Sequence, residues 1–273
     1  MRTLPIEIQS EAEFIASEQA DLVISDISPV PIAAARIAKV KSLGISNFTW
    51  YTAYRNMLDH KYLQPLYSAY SQMDNFISLA GSNEPRWCKG VVSIEADFYC
   101  RKPEVNEVQR IINQLNPERN KYIIYFALGM SIQAGGLDSL KMWKDDSCEF
   151  VVSSNMNMLG KNIHSIPPSY TESQNYVAAA DVIVTKPGWG TVGEAVSLFK
   201  PLLLLNRDVM IEDQNTINSL IGRHPYQLMS WEHLKSMNAK DTFTRLVARR
   251  KRNWNGDSEW HKRNIVKIVD QLV

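Results

Sequence analysis

The chain has 273 residues, 45% of them hydrophobic and 22% charged, with 30 Lys and Arg against 29 Asp and Glu for a net charge of +1. That balance gives no overall field toward nucleic acid or an anionic membrane, and the length accommodates two domains with cores of their own. Cys88, Cys100 and Cys148 are an odd count at no metal-ligand spacing, no apolar run approaches ~18 residues, and the first residues lack a signal core, so reduced thiols in the cytoplasm are expected, without a membrane span or secretion signal.

Residues 11–18 carry a helical pattern, and 21–25 read as a buried strand. Asp26 follows that strand and precedes Ser28-Pro29. Two roles stay open for it, a helix cap or an acid or base presented at a strand end. An Ala-rich helix over 33–41 stops near Gly44, and a strand begins over 45–48. Asn47 and Thr49 suit either an acceptor's hydrogen bonds or a turn. Residues 51–70 space their aromatics and leucines as a helix does, and 75–78 and 90–94 read as short strands. A helix over 105–115 ends at Asn116-Pro117. The clearest strand, 121–128, runs into Gly129 and the Gly135-Gly136 pair. Another strand spans 148–153 and precedes a polar loop. From Trp231 the chain reads as helical, and Trp260, Ile265, Ile268 and Leu272 form an apolar stripe. Short apolar runs alternating with helical stretches argue an α/β fold with parallel strands. Charge and turn residues gather over 101–120, which divides the chain into 1–110 and 111–273.

The densest signal lies in 179–205. A buried strand (182–184) feeds a tight turn holding Gly188 and Gly190, a helix opens near Thr191, and a second apolar strand spans 202–205. Such an arrangement is an anion site, because unpaired N–H groups and the positive end of the helix dipole converge at the turn. Glu194, one turn into the helix, is placed to accept hydrogen bonds from a pair of sugar hydroxyls. Phosphate on the amides with ribose on the carboxylate describes a nucleotide site.

The run Lys186-Pro187-Gly188-Trp189-Gly190-Thr191-Val192-Gly193-Glu194-Ala195, followed by Lys200-Pro201, resembles the donor-site motif of GT-B glycosyltransferases, nearest the family 28, MurG-like branch. Glu212-Asp213-Gln214-Asn215 is similar to that family's acid–glutamine segment. Ser25-Asp26-Ile27-Ser28-Pro29 and Ser46-Asn47-Phe48-Thr49-Trp50 look like first-domain segments of the same branch. The resemblance implies a GT-B-like α/β fold, two Rossmann-like parallel-sheet domains facing a cleft. It implies transfer of a sugar from an NDP-sugar, most often a UDP-sugar, to an acceptor hydroxyl, with no cofactor. No Asp-x-Asp motif stands where a metal-dependent transferase needs one, so metal independence is expected.

By position in the motif, Gly188, Trp189, Gly190 and Thr191 line the diphosphate, and the loop beginning at Gly129 faces it from the other side. Ile166 sits beside the nucleobase, Glu194 holds the ribose hydroxyls, and Asp213 and Gln214 reach the transferred sugar. Asn47 and Thr49 are the acceptor-side residues, and Asp26 is the candidate base. Members of this family begin with a strand, a Gly-rich loop containing a His, and a helix. Here no glycine precedes Asp21, so the first domain is expected to be incomplete. The chain is then a fragment, or a homo-oligomer or partner chain completes that domain. The corresponding alternatives are a donor-binding subunit, an inactive remnant or an NDP-sugar hydrolase. The expected partners are a nucleotide-sugar donor and an unknown acceptor, not nucleic acid, and peripheral attachment to the inner membrane face goes with the family.

His164, in the expected nucleobase loop, and His224, in a helix-end turn, read as structural histidines. The basic run 249–252 reads as a solvated helix face ahead of a contact for a lipid headgroup or an acidic acceptor. Trp50, Tyr51, Tyr54, Tyr62, Tyr67 and Tyr70 read as core packing ahead of a carbohydrate-stacking or membrane-facing patch.

Overall fold

A computed structural model describes residues 4–87, 94–128, 136–156, 158–206, 210–249 and 258–273. The chain forms two compact units. One comprises Met1–Asp97 with Met210–Thr216 and Glu259–Val273, the other Phe98–Val209 with Ile217–Ser258. Among the described residues no helix is long and apolar enough to cross a membrane.

The first unit runs α1 (Leu4–Ser17), β1 (Leu22–Ser25), α2 (Pro29–Ala38), β2 (Lys41–Ser46), α3 (Trp50–Tyr54), α4 (His60–Tyr70), β3 (Asn75–Leu79) and β4 (Ile94–Ala96). Its four strands are parallel and lie in chain order, β1-β2-β3-β4. Small residues on α2 let it pack closely, with Ala34 and Ala35 against Ala12 and Ile15 of α1. Ile32 of α2 instead joins Tyr70, Met73, Phe76 and Trp87. The single helix expected over 51–70 is two. A capping box of Thr49 and Thr52 opens α3, and Asp59 stands at the N-cap of α4 after the intervening turn. The strand expected over 90–94 lies mostly outside the described residues, and β4 starts at its last position.

The second unit contains α5 (Val105–Leu115), β5 (Tyr122–Ala127), β6 (Cys148–Val152), β7 (Ile163–Ser165), α6 (Ser173–Ala179), β8 (Val182–Thr185), α7 (Trp189–Ser197), β9 (Leu202–Leu205), β10 (Tyr226–Met229), α9 (Trp231–Ser236) and α10 (Ala239–Ala248). Between β9 and β10 lies α8 (Ile211–Leu220), whose first residues group with the first unit. The last helix, α11 (Ser258–Leu272), groups there too from Glu259. His261 Nδ1 of α11 accepts from the Asp97 N–H at 3.2 Å, and Lys41 Nζ donates to the Leu272 carbonyl at 2.9 Å.

Six parallel strands of the second unit lie in the order β10-β9-β8-β5-β6-β7. The strands β8 and β9 are buried at every position, as expected of parallel strands covered on both faces. Ile124, Phe126, Val182 and Val184 point into a core with Phe150, Leu203, Phe243 and Leu246. Trp143 stands edge-on to both Phe126 and Phe150. The chain lays down β5, β6 and β7 in one direction, then returns to the other side of β5 with β8. This reversal is a topological switch point, where open α/β sheets leave a crevice beyond their carboxyl ends. There the Thr185 hydroxyl donates to the Ala127 carbonyl at 2.7 Å, tying the ends of β8 and β5 together.

In the first unit, Gly81 fixes the loop after β3. Its φ is +78°, and an added Cβ would lie 3.1 Å from the Asn215 carbonyl oxygen of α8. Gly81→Ala is expected to destabilise the fold by ~1–3 kcal/mol through strain and this clash, read as a lowered midpoint in urea unfolding.

Candidate functional site

The turn after β8 sits at the switch point of the second sheet. Gly188 is the N-cap of α7 with extended φ and ψ, and it has no side chain with which to cap the helix. The first intrahelical bond runs from the Val192 N–H to the Gly188 carbonyl at 3.1 Å. The N–H groups of Gly190 and Thr191 have no acceptor among the described residues, so the positive end of α7 is open. Gly190 itself is not demanded by the backbone: an added Cβ would meet nothing within 4 Å. The space over Gly190 is therefore open for an approaching ligand. Trp189 packs against Phe98 and Tyr99 at ring-centroid distances of 5.6 and 5.2 Å, which fixes the start of the helix from one side.

Glu194 lies on α7 close to β5 and α6. Burial raises its carboxyl pKa, while the Arg101 charge and a 3.4 Å hydrogen bond from Ser173 Oγ oppose the rise. Tyr125 of β5 is buried too, and burial reinforced by the Glu194 charge pushes its phenol up to about 12. Arg101 is held by Glu172 at 3.1 Å and by the Thr171 carbonyl at 2.9 Å. A carboxylate that is largely desolvated and holds one long hydrogen bond can take two further donors.

Glu149 of β6 shows the opposite arrangement. Burial alone would raise its pKa, yet Lys121 at 2.5 Å and His164 at 2.7 Å together hold it below the ordinary range. That carboxylate is fully paired and structural. His164 therefore lies on β7 in an ion-pair cluster. His224 is buried after α8 and bonded to the Lys200 carbonyl at 2.8 Å, and burial lowers its pKa.

Ile166 follows β7 at its carboxyl end, buried, with its N–H bonded to the Val152 carbonyl at 2.9 Å. Gly129 lies outside the described residues. Asp213 and Gln214 sit on the part of α8 that groups with the first unit, Asp213 fully buried and Gln214 exposed.

The remaining candidates gather at the carboxyl ends of β1 and β2. Asp26 does not cap α2, because Ser28 holds the N-cap position. Its carboxyl is exposed on one side. The protein on the other side raises its pKa, and a hydrogen bond with Ser46 opposes the rise. Asn47 is buried, with no hydrogen-bond partner for its side chain among the described residues. Thr49 is committed within the chain. Its hydroxyl donates to Glu84 at 2.8 Å and caps α3, and its N–H donates to Glu84 at 2.9 Å. Tyr70 locks this end of the unit, its phenol donating to the Ile27 carbonyl and accepting from the Trp50 N–H at 3.1 Å.

Ser173, Arg101, Tyr125, Glu84 and Tyr70 were not legible as site residues. Arg101 lay in a charged stretch that resembles a linker, and the tyrosines resemble core.

No family model matches the chain. It is similar to L-arabinokinase of Arabidopsis thaliana, 26% identical over 234 residues that make up 78% of this chain and 21% of that protein. The chain thus spans about a fifth of the length of this curated relative. Among solved structures, the kitacinnamycin glycotransferase superposes with a TM-score of 0.63 at 11% identity, over 98% of this chain and 80% of that one. Phytolacca americana UGT2, complexed with UDP-2fluoro-glucose and pterostilbene, superposes with a TM-score of 0.57 at 12% identity, over 98% and 75%. A UDP-N-acetylglucosamine 2-epimerase of Listeria monocytogenes gives 0.60 at 12% identity, over 98% and 77%. The two parallel sheets are those of the GT-B glycosyltransferase fold.

Because folding raises the Glu194 pKa above its ordinary value of 4.5, the folded chain binds this proton more tightly than the unfolded chain does. The buried charge is then a cost at neutral pH that fades as the carboxyl protonates. Glu194→Gln is expected to unfold at a higher temperature than wild type at pH 7, with the difference vanishing below 4.5, as read by calorimetry across pH.

Proposed function

We propose that the chain binds an NDP-sugar, in the first instance a UDP-sugar, on its second unit and transfers the sugar to an acceptor hydroxyl presented by its first, as a family 28-like transferase without a metal. The observation that carries this reading is the uncapped N-terminus of α7 at the β5/β8 switch point, with the underpaired Glu194 one turn further on. A diphosphate on the Gly190 and Thr191 N–H groups meets the helix dipole, and a ribose diol satisfies Glu194. As the bond from the anomeric carbon to the diphosphate breaks, negative charge grows on the leaving oxygen. The fixed N–H groups of α7 stabilise it without reorganising. The acceptor oxygen forms the new bond to the anomeric carbon and gives its proton to Asp26, whose raised pKa suits it to general-base work. Ile166 borders the base, and Asp213 and Gln214 serve the sugar hydroxyls. Thr49, committed to Glu84, shapes the acceptor loop instead of touching the acceptor.

Calorimetric titration of the full chain with UDP is expected to show binding that Glu194→Ala weakens at least about tenfold, equivalent to ~1.4 kcal/mol. It should be unchanged by EDTA, and unaltered affinity in the variant would remove Glu194 from the site. UDP release from a UDP-sugar without acceptor would mark the protein as a hydrolase. Release only with a second protein present would mark it as a donor-binding subunit.

A further inference from the structure

The aromatic residues of α3 and α4 divide into two groups. Tyr51, Tyr67 and Tyr70 surround Trp87 at centroid distances of 5.3–5.5 Å, and this group packs against Ile32 and Phe76 of the core. Trp50 and Tyr54 stand apart from it. Their rings lie 5.3 Å apart and within 15° of parallel, with Phe48 edge-on to Trp50 at 5.5 Å, and all three are only half-buried. None of the three belongs to the Ile32–Tyr70–Trp87 cluster. They border the carboxyl ends of β1 and β2, beside Asn47 and Asp26.

Asn47 is 6% exposed, and its amide, which has no partner among the described residues, keeps contact with solvent. Covering such an amide with an apolar ligand removes that solvent without replacing its hydrogen bonds, at a cost of ~1–3 kcal/mol. Its amide offers two donors and an acceptor. Ser46 Oγ accepts from the Phe48 N–H at 3.3 Å and also bonds Asp26, so carboxylate, amide and aromatic pair are tied into one loop. Tyr70 anchors that loop through Trp50 and anchors the preceding β1–α2 turn through Ile27.

We propose that the acceptor is itself a carbohydrate, with its ring against the Trp50–Tyr54 pair and hydroxyls on Asn47 and Asp26. A pyranose has the two-sided chemistry this place presents: C–H faces that pack on aromatic rings, and a rim of hydroxyls that pair with an amide and a carboxylate. A flat apolar aglycone covers the rings but leaves the Asn47 amide dehydrated and unpaired. A site built to hydrogen-bond a hydroxyl rejects ligands that lack one far more strongly than an apolar pocket rejects a ligand that adds one. Asp26 then faces the hydroxyl it deprotonates.

This inference rests on the transferase reading, and its test separates the two. Saturation-transfer NMR is recorded on the full chain with a panel of methyl pyranosides and, separately, with quercetin, with and without UDP. UDP affinity is measured on the same samples. At least one pyranoside is expected to bind, with transfer strongest at its ring C–H protons. Asn47→Ala and Trp50→Ala are each expected to weaken it at least about tenfold while UDP affinity stays unchanged. Tyr54→Ser and Trp50→Phe, checked for native thermal unfolding, replace Trp50→Ala if that variant does not fold. Pyranoside binding in a protein that fails to bind UDP would sink the transferase reading and leave the subsite standing. Binding of quercetin alone, binding of no pyranoside, or full affinity in Asn47→Ala would overturn the proposal.

Discussion

The reversal of strand order between β5 and β8 is the constraint on which the second unit depends. Two parallel strands laid down far apart in the chain end side by side, held by the Thr185–Ala127 hydrogen bond. Their crossovers leave the sheet in opposite directions, so neither roofs the gap beyond their ends. The open end of α7 is directed there because β8 feeds α7 through only a short turn. The four leucines of β9 and the core beneath them hold β8 rigidly enough for that aim to be fixed. A helix N-terminus aimed in this way offers an anion backbone N–H groups without any ligating side chain.

Two carboxylates in the same unit, Glu149 buried and Glu194 partly buried, are paired very differently. Glu149 has Lys121 and His164 on its two oxygens, and these partners hold its carboxyl below the ordinary range despite burial. Glu194 has one long hydrogen bond and a more distant arginine, so its charge is held against its environment. Such underpairing is selected against in a purely structural carboxylate. It is what a diol-binding carboxylate needs, since partners supplied by the chain would compete with those supplied by the ligand.

Where the sequence pattern coincided with local physics, it could be read directly. Helix α5 and strands β8 and β9 are marked by periodicity or by unbroken β-branched and leucine runs bounded by Asn-Pro or Lys-Pro. The turn at 186–194 was legible because it carries glycines where packing does not demand them, Gly190 above all. What could not be read depends on distant partners. Strand β7 is Ile-His-Ser, with one apolar residue, and is a strand only because β6 pairs with it. Strand β10 is an edge strand of mixed character beside β9. The division of residues 51–70 follows from Thr49 and Thr52 bonding Glu84, more than 30 positions away in the chain. Local spacing carries no trace of that bond, nor of the Ser173 and Arg101 contributions at Glu194.

The first unit is not continuous in the chain, and this has a bearing on how it is made. Its sheet is complete in the described residues by Ala96, but the 15-residue helix α11 bonds Asp97 and Lys41 from 164 and 231 positions further along the chain. Residues 210–216 also come after most of the second unit. The contacts that group residues 210–216 and α11 with the first unit therefore close across the whole intervening sequence of the second. Long-range closure of this kind is slow relative to local contacts. A cut between Asp97 and Phe98 therefore separates the strands of the first unit from the residues of α8 and α11 that group with them.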